Sequence, residues 1–114
     1  MKNYLSIDQG TTSSRAIIFD SDLNLINDSQ KEYDLAYPND GWVELNPNDV
    51  LETVKDTVAH VLRDGKQIEA CGITNQRETT IVWSKETGDP IYPAIVWQDR
   101  RTNKFCNELK SKGF

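Results

Sequence analysis

The stretch Tyr4-Leu5-Ser6-Ile7-Asp8-Gln9-Gly10-Thr11-Thr12-Ser13-Ser14-Arg15-Ala16-Ile17-Ile18-Phe19 decides how this chain folds. A short apolar run, residues 4–7, enters a polar turn, and a second, residues 16–19, leaves it. Two strands joined by a tight turn satisfy that pattern. The turn carries one carboxylate (Asp8), one glycine (Gly10), the hydroxyls Thr11, Thr12, Ser13 and Ser14, and one guanidinium (Arg15). Glycine lets backbone N–H groups approach an anion closely. Hydroxyls and a guanidinium donate to phosphate oxygens. A carboxylate holds Mg²⁺, usually through waters the ion retains. Small polar residues also build ordinary hairpins, so on these residues alone a plain turn and a phosphate cradle both stand. The string is not a Walker loop, because G-x-x-x-x-G-K-[ST] is absent and no helix follows the glycine; nor is it a Rossmann turn.

Outward from the hairpin, Asp20-Ser21-Asp22 is a polar turn and residues 24–35 form a third extended segment. Short connections between three strands predict an antiparallel meander. Residues 37–46 hold too many turn formers for a regular element. The clearest helix follows. Asn46 caps it, Pro47 takes the first helical position, and Asp49 suits the positive end of the dipole. Val50, Leu51, Val54, Val58, Val61 and Leu62 fall on one stripe, and Gly65 stops the helix.

Residues 67–75 read as a buried strand, with Ile68, Ala70, Cys71 and Ile73 apolar. Reached through a helix, it is expected to run parallel to an earlier strand. Residues 79–83 and 94–97 read as further strands, with Glu86-Thr87-Gly88-Asp89-Pro90 as the turn after the first. A last helix is expected over roughly 99–112, with Phe105, Cys106 and Leu109 inward and Gly113 as its stop. The sum is an α/β chain of order β-β-β-α-β-β-α, a mixed sheet with flanking helices.

The bulk properties narrow the function. The 114 residues suit one compact domain able to bury a core without disulfides. Thirteen basic against eighteen acidic residues give a net charge of −5, which opposes nucleic-acid binding. No apolar run approaches the ~20 residues of a membrane span, and the N-terminus has no secretory pattern. Cys71 and Cys106 lack metal spacing and read as reduced, half-buried thiols of a cytoplasmic protein.

Two further strings carry chemistry. Ile73-Thr74-Asn75-Gln76-Arg77-Glu78-Thr79-Thr80 leaves an apolar strand and turns polar at once, where open α/β sheets gather ligands. Arg77 donates and Glu78 accepts, which suits a polyol; a solvent-exposed ion pair is the plainer alternative. In Ile95-Val96-Trp97-Gln98-Asp99-Arg100-Arg101, Trp97 either backs the carbon face of a small substrate or packs in the core at a strand end. Trp42 and Trp83 read as packing residues, and His60 as a surface residue near a helix end. A single histidine and no nucleophile elbow exclude a Ser/His/Asp site. A two-metal nuclease needs several converging acids, of which only Asp8 is well placed.

Together, DQGTTSSR (8–15), YPNDGWVELNP (37–47), GITNQRETTIVW (72–83) and ETGDPIYPAIVWQDRR (86–101) resemble the FGGY family of carbohydrate kinases. ITNQRETT and DQGTTSSR are similar to its glycerol-phosphorylating members in particular. The resemblance implies the ribonuclease-H-like fold of actin and hexokinase-type ATPases. It implies ATP-dependent phosphorylation of glycerol to sn-glycerol 3-phosphate, with Mg²⁺. By position, Asp8 looks like the metal-associated acid, and Gly10, Thr11, Thr12, Ser13 and Arg15 like contacts to the ATP phosphates. Thr11, Arg77, Glu78 and Trp97 look like the substrate contacts. Family members have two domains with the site between them, and their general base, an aspartate in a later motif, has no counterpart up to Phe114. Residues 1–114 are thus expected to be the N-terminal portion of the N-terminal domain, inactive alone, with the second domain absent. Asp99 is expected to cap the last helix rather than act as base. A full-length homo-oligomer in the cytoplasm is expected. The alternatives are a non-catalytic phosphate- or polyol-binding piece, or a kinase of another small sugar or polyol.

Overall fold

The computed structural model describes residues 1–114. Its elements are β1 (Asn3–Gln9), β2 (Ser13–Asp20), β3 (Leu25–Glu32), β4 (Glu44–Leu45), α1 (Pro47–Leu62), β5 (Ile68–Thr74), β6 (Ala94–Ile95) and α2 (Asn103–Ser111). The first three strands form the expected meander, and β5 joins β1 in parallel, giving the sheet order β3-β2-β1-β5. Strand β4 is an addition to the expected order. It pairs with β6 as a separate two-stranded sheet.

The period of two along β2 decides which face is covered. Ser14, Ala16, Ile18 and Asp20 are buried, while the residues between them are half-buried. Leu5 stands opposite Ile18, and Ile7 opposite Ala16. These side chains meet Val58, Val61 and Leu62 of α1 in one core cluster. The helix begins where expected: the Asn46 side chain accepts from the Asn48 N–H at 3.0 Å, and Pro47 follows. It ends at Leu62, and Gly65 just beyond has a φ of 70°, the left-handed geometry glycine adopts without strain.

The buried stripe of α1 differs from the expected one. Its fully covered residues are Thr53, Thr57 and Val61, and Leu51 is exposed. Each threonine hydroxyl is satisfied inside its own helix. Thr53 Oγ1 lies 2.7 Å from the Val50 carbonyl and Thr57 Oγ1 lies 2.8 Å from the Thr53 carbonyl. Thr53 also meets the buried Ser14 hydroxyl at 2.8 Å. A small polar contact thus sits where an aliphatic stripe was expected.

Other expectations are corrected. Strand β5 is not buried: Ile73 is 74% exposed, because α1 lies over β2 and β3 and leaves the β5 edge uncovered. Residues 79–83 form no strand; the backbone pairs only at Thr80 with Ile95 and at Trp83 with Pro90. Pro90 and Pro93 have no N–H to continue a ladder there. Trp83 is exposed rather than packed, and β6 ends at Ile95, short of Trp97. Helix α2 starts at Asn103, buries no residue, and leaves Phe105 and Cys106 outward. Both cysteines are free and exposed, not half-buried.

Asp99 does not cap α2. Its carboxylate accepts from the Val43 N–H at 2.7 Å, from the Arg101 N–H at 2.8 Å, and from the Arg101 guanidinium at 2.7 Å. Arg101 also reaches Glu44 at 2.8 Å and lies over the Trp42 ring, 3.9 Å from its centroid. The hydrogen bonds from Arg101 hold the Asp99 carboxyl down at about 2, against desolvation that pushes the other way. This ionic knot closes one side of the second core cluster, Tyr33, Val43, Leu45, Ala94 and Val96.

The whole is elongated. Only 14 of 114 residues are buried. The radius of gyration is 18.0 Å, where a compact chain of this length gives about 13 Å. The single compact core expected from chain length is replaced by two small clusters.

Candidate functional site

The parallel pairing of β1 with β5 builds the site. Asp8, near the end of β1, stands beside Thr74, the end of β5. The β1–β2 hairpin and the loop of residues 75–80 therefore leave the sheet at the same edge, outside the carboxyl ends of parallel strands. Between them lies a cleft of about 570 Å³, lined by Asp8, Gln9, Gly10, Thr11, Asn75, Gln76, Arg77, Glu78 and Trp97.

The hairpin is tight. The Gly10 N–H donates to the Ser13 carbonyl at 2.9 Å. A Cβ at Gly10 would stand 3.1 Å from that same carbonyl oxygen, so a larger residue would make the turn's own backbone give way. The N–H groups of Thr11 and Thr12 donate to nothing within the chain. Two consecutive unpaired N–H groups at an exposed turn suit an anion. The Thr11 hydroxyl accepts from the Trp97 indole Nε1 at 3.1 Å and keeps its own hydrogen to donate.

Asp8 is exposed, and its carboxylate has no ion pair in the chain. No group of three or more His, Cys, Asp or Glu side chains stands together as a metal cage. A lone, unpaired carboxylate fits Mg²⁺, an ion that takes one or two carboxylates together with phosphate oxygens, which the unpaired N–H groups would hold.

Arg77 and Glu78 are adjacent, exposed, and paired neither with each other nor with any other residue. The simple ion pair is therefore absent, and both groups are free to meet a ligand. Glu78 has a φ of 67°, a left-handed conformation that a residue with a Cβ rarely adopts. Such strain gathers at functional sites. Trp97 is 51% exposed on the cleft wall, which rules out the core-tryptophan alternative.

Three of the predicted phosphate contacts stand apart from the cleft lining. Thr12 is at the exposed hairpin tip. The Ser13 hydroxyl accepts from Gln30 Nε2 at 2.8 Å. Arg15 faces Asp8 across the ladder, but its guanidinium bonds Asp28 on β3 at 2.8 Å and 3.2 Å. Sequence reasoning missed Gln9, Asn75 and Gln76 in the lining, and Tyr33 behind it. For Gln76 the signal was its place beside Arg77. For Tyr33 no signal existed, because its contact with Gly10 spans 23 residues.

Residues 3–114 match the model of the FGGY family of carbohydrate kinases, N-terminal domain. The chain belongs to the FGGY family of carbohydrate kinases. Among curated relatives of this FGGY chain, the glycerol kinase of Petrotoga mobilis is 55% identical over 116 residues, covering 98% of the chain and 23% of that protein. The glycerol kinase of Borrelia duttonii is 55% identical over 117 residues, covering 99% of the chain and 24% of that protein. The chain thus spans about a quarter of the length of the curated relatives it matches. Among solved structures, Plasmodium falciparum glycerol kinase with ADP superimposes with a TM-score of 0.91 at 34% identity, covering 100% of this chain and 24% of that one. Ligand-bound xylulose kinase from Lactobacillus acidophilus gives a TM-score of 0.92 at 20% identity, covering 100% of this chain and 23% of that one, a likeness of fold alone. The FGGY chain has the mixed-sheet fold of sugar kinases, as expected from its strings.

Proposed function

We propose that this chain supplies the phosphate hairpin and the polyol loop of an ATP-dependent glycerol kinase. One observation carries the reading. The unpaired N–H of Thr11, the unpaired Arg77 and Glu78, and the Trp97 ring line one cleft. A nucleotide tail and a small polyol require those two halves side by side.

In this reading Gly10, Thr11, Thr12 and Ser13 hold the phosphates through backbone N–H groups and hydroxyls. Arg15 joins them by leaving Asp28, an exchange between exposed partners that costs little. Arg77 donates to glycerol hydroxyls and Glu78 accepts from them. Trp97 covers the carbons, and Thr11 stands between the two ligands. Asp8 would hold Mg²⁺, and the ion would supply charge neutralisation on the phosphates. The terminal hydroxyl oxygen of glycerol forms a bond to the γ-phosphorus as the bond to the ADP oxygen breaks. The hydroxyl proton passes to a base, an aspartate supplied from outside residues 1–114. We extend the reading to a cytoplasmic full-length protein, which fits an acidic chain with free thiols, and, from the family resemblance, to a homo-oligomer.

A chimera tests this. Residues 1–114 replace the matching N-terminal quarter of the Petrotoga mobilis glycerol kinase, and glycerol-dependent ADP release is measured. Turnover is expected, and Arg77→Ala or Glu78→Ala should each lower kcat/KM for glycerol by about 10- to 100-fold, the loss of a charged hydrogen bond. Glycerol kinetics untouched by both substitutions would overturn the substrate assignment. Xylulose phosphorylated in preference to glycerol would favour a kinase of another sugar.

A further inference from the structure

We infer that Gln76, backed by Tyr33, is a positioning residue that sets the phosphate hairpin and the polyol loop in register with each other. The inference rests on the reading of those two loops given above. Its evidence is a connected set of hydrogen bonds that reaches all three chemistry-bearing strings.

The hub is the Gly10 carbonyl. It accepts from Gln9 Nε2 at 2.7 Å, from Gln76 Nε2 at 3.2 Å, and from the Tyr33 hydroxyl. The Tyr33 oxygen in turn accepts from Gln9 Nε2 at 2.8 Å and from Gln76 Nε2 at 3.1 Å. The Gly10 and Tyr33 oxygens lie so close together that each glutamine amide reaches both with one shared hydrogen, and the single hydrogen of the phenol is used on the Gly10 carbonyl. The Gln76 amide is oriented by the Gly10 carbonyl, which can only accept, and the Thr79 hydroxyl donates to its Oε1 at 2.9 Å. Thr79 then accepts from the Trp97 N–H at 3.3 Å, and the Trp97 indole returns to Thr11 at 3.1 Å. The circuit closes on the hairpin where it began.

Geometry gives the circuit a consequence. In a trans peptide the N–H points opposite to the preceding C=O. Fixing the Gly10 carbonyl on the hub therefore fixes the Thr11 N–H, one of the two unpaired donors, facing away from it. The Tyr33 ring is buried in the cluster with Val43, Leu45, Ala94 and Val96, and its own N–H donates to the Thr12 carbonyl at 3.1 Å. The hub is thus anchored in a core rather than hung between two loops. Arg77 and Glu78 follow Gln76 directly, so a shift of Gln76 moves both.

The test uses the ¹⁵N-labelled 114-residue chain. Gln76→Glu keeps length and the Thr79 bond but loses both donors. It should shift the Thr11 amide and the Trp97 indole resonances while leaving those of α1 in place. Changes confined to residues 74–80 would overturn the inference. Should Gln76→Glu unfold the chain, Tyr33→Phe keeps the ring in its core and removes only the hydroxyl. It should shift Thr11, Arg77 and Glu78 together, and no shift at any of them would be an equal refutation. In the chimeric kinase, Gln76→Ala should raise KM for ATP and for glycerol together, each by about five- to tenfold, whereas a purely structural role would lower active protein and leave both KM values alone. An active chimera in which neither KM moves sinks the coupling but spares the proposed function. A chimera with no glycerol turnover sinks the proposed function, while the resonance shifts still decide the coupling.

Discussion

Glu78 illustrates what a single residue costs and supplies. Its φ of 67° places a side chain where glycine is at ease. The left-handed conformation costs an L-residue about 1–2 kcal/mol, and glycine gives back about 0.5–1 kcal/mol of that in unfolded-state entropy. Glu78→Gly should therefore raise the stability of the chain by about 0.5–1 kcal/mol in urea titration, while removing the acceptor proposed for glycerol. Loss of stability on that substitution would mean that the strain is absent. Gly10 is the opposite case. A methyl group 3.1 Å from the Ser13 carbonyl presses on backbone rather than on a flexible side chain. Gly10→Ala should destabilise the chain by about 1–2 kcal/mol, and it should shift the Thr11 and Thr12 amides. An unchanged urea midpoint would show that the turn opens freely.

At the scale of elements, the knot of Arg101, Asp99 and Glu44 joins β4 to the segment that leads into α2. Its groups are nearly covered, with side chains of Arg101 and Asp99 14% and 3% exposed. Salt should therefore screen it little. Removing one partner of such a pair leaves a covered charge unmatched, so Arg101→Ala should cost about 3 kcal/mol. The pH dependence follows from Asp99. Its carboxyl titrates lower in the folded chain than in the unfolded one, so the folded state gains stability above the unfolded value. That stability is lost as pH falls from about 4 toward about 2. Thermal melts of Asp99→Asn should be lower than those of the parent at pH 6. The gap should close as both are taken down to pH 2. A gap that is constant with pH would assign the bond some other origin.

At the scale of the whole molecule, 14 buried residues and a radius of gyration of 18.0 Å describe a chain that has covered little of its surface. Because the urea m-value follows the area exposed on unfolding, it should fall below that of a compact domain of this length. An m-value typical of 114 compact residues would imply a collapsed form in solution. The purified chain, spanning about a quarter of its curated relatives, is expected to show no glycerol-dependent ADP release. Measurable turnover would relocate the base into residues 1–114.

What could be read from the residues alone was local. The alternation around DQGTTSSR, the Asn46-Pro47 helix start and the glycines at 65 and 113 each depend on neighbours a few positions away. They gave the meander and α1, while the family came from the resemblance of whole strings. Partner choice was decided only in three dimensions. That Arg15 has Asp28 as a partner to leave before it meets a phosphate was settled only when β3 came beside it. Asp99 was free to cap a helix until the Val43 N–H and Arg101 claimed it. Thr53 and Thr57 looked polar until α1 settled them against β2 with their hydroxyls turned onto helix carbonyls. Gln76 had no role of its own inside the ITNQRETT string until folding carried it across 66 residues to Gly10. Backbone preference is written in short windows of sequence, whereas burial and hydrogen-bond pairing are properties of the residues that the fold brings together.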